Sequence, residues 1–260
     1  MTSTISRRRL LGLGIGVGLT ATAAAAAVVM SRTWEGDDQK MVCVPQSSLP
    51  VFSQIAGAEL RYEVDQQPRR FWIDQVLADR LTQWVRFLPS MGLEPVTALR
   101  TYGSWIDGGT TCTSMHHAGR AFDVAAVVAG ARVISCRTDQ WPGGGNDDQL
   151  AAYWRLAAGL HAYFAYVLTY LFDELHVNHI HVDDTESRGR MTSFNHRSRV
   201  QCQAVQAICR CVWKTPTELT GAWDDQTRAS LAKVTDQLGL SNQIQRQPAW
   251  QDFLMASARF

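Results

Sequence analysis

Asn178-His179-Ile180-His181-Val182-Asp183 alternates with a period of two. Successive side chains of an extended chain point to opposite sides, so Ile180 and Val182 fall on one face and His179, His181 and Asp183 on the other. One face suits a core and the other carries polar chemistry. The segment reads as a strand, and a strand needs partners. Ala121 to Val128 and Arg132 to Ser135 read as a hairpin turning at Ala129-Gly130, and Pro95-Val96-Thr97-Ala98-Leu99 as a further short strand. Elsewhere the period changes to that of a helix. Phe71, Trp72, Val76, Leu77, Leu81, Trp84, Val85 and Leu88 recur at helical spacing behind Pro68, which predicts a helix from Phe71 to about Pro89. Asp148 to about Phe172 reads as one long helix. Tyr102 to Thr113 and Trp141 to Asp147 are rich in loop residues. Three short helices follow, near Val200–Trp213, Asp225–Leu238 and Pro248–Ala256. No internal repeat is visible. The expected class is α+β: a small antiparallel sheet carrying the histidines, helices packed on it, and a short all-helical C-terminal region.

The 260 residues are 46% hydrophobic and 19% charged, which excludes collagen-like, low-complexity and wholly disordered chains. A net charge of +1 provides no basic field, and nucleic acid is not expected as a partner. Nine tryptophans suit a core, and could also serve as flat contact surfaces. Ser6-Arg7-Arg8-Arg9-Leu10-Leu11 opens an uncharged apolar run from Leu10 to Met30, with small residues at Ala23-Ala24-Ala25. A basic start, an apolar middle and small residues make an export signal. Its arginine pair resembles the twin-arginine type, which implies a bacterial source. The run also reaches the roughly 20 residues that span a bilayer, so an uncleaved anchor is the alternative. Membrane contact is expected only through that segment. In either case the remainder lies outside the cytoplasm, in the periplasm or cell envelope. The chain divides into an export or anchor segment (1–30), a linker (31–49), a main domain (50–186), a basic polar linker (187–198) and a helical tail (199–260).

Export makes the six cysteines disulfide candidates. Cys43, Cys112 and Cys136 precede the tail, and Cys202, Cys209 and Cys211 lie in it. On one helix, Cys202 and Cys209 would be ~10.5 Å apart along the axis, and Cys209 and Cys211 would lie on nearly opposite sides. Those separations exceed disulfide reach, so any bridge from the tail is expected to fasten it to the main domain, and the alternative is that several of the cysteines remain free thiols. A bridge at Cys112 would also stiffen the loop that leads to His116. The competing metal reading is weak, because Cys-x6-Cys-x-Cys does not match zinc spacing.

Five of the seven histidines fall in two clusters. One is Ser114-Met115-His116-His117-Ala118-Gly119-Arg120-Ala121-Phe122-Asp123, and the other is His176-Val177-Asn178-His179-Ile180-His181-Val182-Asp183. Neutral imidazoles with a carboxylate are the ligand set of a catalytic zinc site, which keeps one position open. The bland alternative is a polar surface strand. Ser114-x-His116-x-x-Gly119-x-Ala121-x-Asp123 resembles the signature of the D-alanyl-D-alanine carboxypeptidase group of zinc peptidases, which belongs with the lysostaphin and hedgehog folds. Within that group the chain is most similar to the bacterial extensin-like C-terminal domain family, whose domain closes with His-x-x-His-x-His-x-Asp, as in His176-x-x-His179-x-His181-x-Asp183. The resemblance covers roughly residues 93–183.

The resemblance implies a Zn2+ ion held by His116, Asp123 and His181. Gly119 would let the backbone pass close to the site, and Ala121 would leave room beneath the metal. The implied reaction is hydrolysis of D-amino-acid-containing peptide bonds in peptidoglycan stem peptides or another cell-wall polymer, with zinc lowering a water's pKa to ~7. Relatives often place a carboxylate base three residues before the last ligand. Here Asn178 stands there and cannot take a proton, which leaves His179, with His176 as second candidate, as the base. His117, beside a ligand, reads as a group pointing away from the metal. Thr97-Ala98-Leu99-Arg100-Thr101-Tyr102 resembles the Ser-Gly-Tyr-Arg-Ser-Tyr stretch of the carboxypeptidases, which implies that Arg100 meets the oxyanion or the substrate carboxylate. A second register puts the loop around Tyr102 there and leaves Arg100 structural. In the tail, Val205-Gln206-Ala207-Ile208 and Gly221-Ala222-Trp223-Asp224-Asp225-Gln226-Thr227 resemble the small helical peptidoglycan-binding domain, against a plain helical extension. Two functions follow: a zinc peptidase, or a catalytically silent zinc-containing wall-binding or structural module.

Overall fold

A computed structural model describes residues 42–185 and 190–260. The export or anchor segment, most of the first linker and the start of the second lie outside those residues. The strands are β1 (Val51–Phe52), β2 (Gln54–Ile55), β3 (Ala58–Tyr62), β4 (Phe71–Trp72), β5 (Val96–Gly103), β6 (Ala121–Ala129), β7 (Arg132–Ser135), β8 (Tyr166–Leu168) and β9 (Ile180–Asp183). The helices are α1 (Gln75–Phe87), α2 (Asp147–Tyr163), α3 (Arg199–Ala207), α4 (Asp225–Leu238) and α5 (Gln247–Arg259). The class is α+β. The main sheet has seven strands in the order β2-β3-β5-β6-β9-β8, with β7 also paired to β6, while β1 and β4 form a separate antiparallel pair.

The sheet is mixed, which corrects the expectation of a small antiparallel one. β3 runs parallel to β5, with Leu60 opposite Leu99. Parallel neighbours need a crossover connection, and α1 lies between them in the chain and supplies it. Strands of two residues, such as β1, β2 and β4, have no period to read. The first helix begins later than its apolar spacing predicts, because Phe71 and Trp72 pair with β1. Asp74 then caps α1, its carboxylate accepting from the Val76 and Leu77 amides.

The second helix ends earlier than expected. It starts with a capping box between Asn146 and Gln149 and stops at Tyr163, where Phe164 turns extended. Tyr166–Leu168 then pairs with β9 at the sheet edge. A run such as Phe164-Ala165-Tyr166-Val167-Leu168 is equally apolar as buried helix or buried strand, so periodicity does not distinguish them. The tail helix at Val200–Trp213 is also two pieces: α3 continues into a π-helical segment, Ile208–Val212. That segment and α5 both pack against α2. Trp84, Trp154 and Trp250 share one apolar cluster with Phe122, Ile180 and Val182, so the tail and the sheet bury a common core. Among the described residues no helix is long and apolar enough to cross a membrane.

Cys43 and Cys112 form a disulfide across 69 residues. Cys136, Cys202, Cys209 and Cys211 are free and buried in the apolar cluster, so the tail carries no bridge and the free-thiol alternative is the one found. Packing holds the tail, and these thiols act there as small hydrophobes. The Cys43 end is also laced to the ligand loop: the Val44 amide donates to the His117 carbonyl at 2.9 Å, and Trp105 Nε1 donates to the Val44 carbonyl at 2.8 Å. In the chain-entropy account a crosslink closing a loop of this length contributes about 4 kcal/mol. Replacing Cys43 and Cys112 by serine should lower the unfolding free energy by about that much. Urea titration checks this, and an unchanged midpoint would contradict it.

Candidate metal centre

The alternation of β6 and β9 separates core from chemistry. Phe122, Val124, Ile180 and Val182 point into the apolar cluster. Asp123 and His181 sit opposite each other in the ladder between them, on the other face. His116 reaches the same point from a 3-10 turn, Met115–Ala118, that leads into β6. Ser114 caps that turn, its hydroxyl accepting from the His116 amide. Gly119 ends it in the left-handed region, with φ 66°, and a Cβ there would sit 2.6 Å from Leu49 Cδ1. The glycine therefore allows both the turn and the close passage of the chain. Residue 121, the alanine that begins β6, is fully buried.

The structure brings His116, Asp123 and His181 together as a group able to hold a metal ion. His181 Nδ1 lies 3.1 Å from Asp123 Oδ1 and 3.1 Å from His116 Nε2, and His116 Nε2 lies 3.3 Å from Asp123 Oδ1. Ligands at ~2.0–2.1 Å from a tetrahedral ion are separated by about 3.3 Å, so the spacing fits a shared zinc ion. The hydrogen bonds behind the site agree. His116 Nδ1 donates to the Ser104 carbonyl at 2.5 Å, which leaves Nε2 as a lone pair facing inward. His181 Nε2 faces Asp183 Oδ2 at 3.3 Å and donates to it, which leaves Nδ1 inward. With both rings neutral in these tautomers, two lone pairs and a carboxylate would meet, an arrangement that either a metal ion or a shared proton satisfies. The same field acts on protons. Burial opposes charging His181, but its hydrogen bonds to Asp123 and Asp183 outweigh that and push its pKa up to about 9. Asp123 is held well below the usual carboxylate range, since the neighbouring imidazoles outweigh its burial.

The remaining histidines stand around this group. His179 Nε2 lies 3.4 Å from Asp123 Oδ1. Its Nδ1 donates to the Asn178 side-chain carbonyl at 2.6 Å. Burial, against the pull of Asp123, holds its pKa down to about 4, so the ring is neutral near pH 7. His176 packs against His179 and His181, at ring separations of 5.2 and 6.0 Å, and donates Nδ1–H to Asp173 at 2.6 Å. His117 is outside the cluster. Its Nδ1 accepts from the Thr113 amide, and its ring lies on Gly108, where a Cβ would come within 2.6 Å.

Arg100 is also apart from the histidines. Its guanidinium is bidentate on the buried carboxylate of Glu63, at 2.7 and 2.9 Å. That is the geometry of a structural ion pair. Tyr102, two residues on, does reach the site: its ring meets His179 edge-on at 5.9 Å, and the Arg137 guanidinium lies 5.9 Å from the centre of the same ring. Arg137 is in turn held by Asp139 and Glu63. Sequence reasoning gave no role to Ser104, Asp173 or Asp183. The same-face spacing of His181 and Asp183 was the one signal for such a partner.

No family model matches the chain, and neither does any curated protein or solved structure.

Proposed function

We propose that this protein is a zinc-dependent peptidase, a carboxypeptidase or endopeptidase that hydrolyses D-amino-acid-containing peptide bonds of bacterial peptidoglycan. The observation that carries the reading is the convergence of three inward acceptor atoms, 3.1–3.3 Å apart, beside a further imidazole whose Nε2 faces the same carboxylate. His116, Asp123 and His181 would hold the ion. Zinc bound there would supply Lewis acidity toward the scissile carbonyl and a hydrolytic nucleophile near neutral pH. The chain's own groups do the proton work. His179 Nε2 takes a proton from the attacking water and passes it to the leaving amine, and His176, aligned by Asp173, is the second candidate. The substrate class rests on the resemblance to the D-alanyl-D-alanine carboxypeptidase group. Action outside the cytoplasm rests on the export-like leader and accords with the Cys43–Cys112 disulfide.

A second reading, a silent zinc-containing wall module, is favoured by one distance. At 3.4 Å from Asp123, His179 is near enough to join as a fourth protein ligand, and structural zinc sites are closed in that way. Metal content and digestion of purified peptidoglycan, with and without a chelator, separate the two. Bound zinc with chelator-sensitive release of peptide products is the expected result. Bound zinc with no product from any muropeptide would overturn the peptidase.

A further inference from the structure

Asn178 occupies the position where a carboxylate base would stand, and it cannot accept a proton. Its side chain is not idle. The Asn178 carbonyl oxygen lies 2.6 Å from His179 Nδ1. A carbonyl oxygen only accepts, so this contact requires the proton of the neutral ring on Nδ1. The other nitrogen, Nε2, is then a lone pair, and it is the atom that faces Asp123 and the ligand group. Tyr102 meets the ring edge-on and His176 packs against it, so rotation of the imidazole is also restricted.

We infer that Asn178 is a positioning residue that fixes the tautomer of His179, keeping the Nε2 lone pair turned toward the reaction centre. The inference rests on the peptidase reading for its purpose, but not for its observable. An amide does this without adding negative charge beside an already acidic cluster of Asp123 and Asp183. An aspartate would also accept from Nδ1, whereas an apolar side chain would not, and the ring would be free to adopt the Nε2–H tautomer that imidazoles prefer in water. That tautomer presents a proton where an acceptor is needed, and the site loses its base while keeping its metal ligands.

Imidazole 15N NMR of the zinc-loaded full chain reads the tautomer directly, in the wild type and in Asn178→Leu and Asn178→Asp. The wild type should show His179 protonated on Nδ1, and Asn178→Asp should keep that state. Asn178→Leu should shift His179 toward Nε2–H, with zinc content unchanged and kcat on a muropeptide lower by about 10²-fold, KM moving little. Recovery of most of kcat in Asn178→Asp, which restores the acceptor, would separate positioning from simple packing. A wild-type His179 already protonated on Nε2, or an Asn178→Leu chain with unchanged tautomer and turnover, would overturn the inference. A tautomer that shifts in Asn178→Leu while the zinc-loaded wild type cleaves nothing supports the positioning and overturns the peptidase reading alone.

Discussion

Replacing His181 by alanine should abolish zinc retention and hydrolysis together, whereas replacing His179 should leave zinc bound and slow turnover by ~10²–10⁴-fold. The two residues are neighbours on one segment, and the difference follows from which atoms face the group. His181 Nδ1 sits 3.1 Å from each of the other two donors and is aligned from behind by Asp183. Its loss leaves two donors, too few for a stable zinc site. His179 approaches only Asp123, and its other nitrogen is taken by Asn178. Metal analysis after dialysis and a muropeptide assay on both variants check the division. Equal metal loss in the two would make His179 a ligand and favour the closed, silent site.

Acid should unfold the protein through a residue far from the chemistry. His161, in the last turn of α2, is fully buried, and neither ring nitrogen has a hydrogen-bond partner. Burial pushes its pKa down to about 3, against 6.5 for an exposed histidine. The unfolded chain therefore binds a proton below pH 6.5 that the folded chain refuses. Stability is independent of this group above pH 6.5 and falls by about 1.4 kcal/mol for each unit below it, until the folded pKa is reached. Between pH 6.5 and 4.5 the loss is on the order of 2 kcal/mol, a large share of an ordinary folding free energy. His161→Phe should flatten that part of the pH profile and, by removing unsatisfied polar atoms, also stabilise the fold at pH 7. Urea unfolding of both proteins across this range decides it. Parallel profiles would show that other groups carry the acid response.

The parts of the molecule written as a period could be read from the sequence. The two-residue alternation of 180–183 and the helical spacing of 76–88 both correspond to real elements. Composition alone left the strand at Tyr166–Leu168 merged with the helix before it, because tertiary pairing with β9, not local preference, ends that helix. The site divides in the same way. His116, Asp123 and His181 carry a spacing that can be recognised, whereas Glu63 lies 37 residues from the arginine it captures, and no local pattern announces that pairing. The Asn178 contact was invisible for another reason. Sequence gives the residue type, and the type alone suggested a missing base, while its use depends on which ring nitrogen its oxygen meets. The cysteines could be read only as candidates, because an oxidising compartment makes pairing possible without making it necessary, and four of them lie free in the apolar cluster.

The pairing of Asp123 with His181 and of Phe122 with Val182 in one short ladder ties survival of the fold to survival of the chemistry. A slip of a single residue along β9 would drive His181 and Asp183 into the apolar interior and turn Ile180 and Val182 out toward the acidic side. Both changes are costly, so the interior proofreads the alignment of the ligands. Insertions and deletions should therefore be excluded from these four residues far more strictly than point substitutions, while the disulfide-held loop before His116 can vary in length without disturbing that alignment.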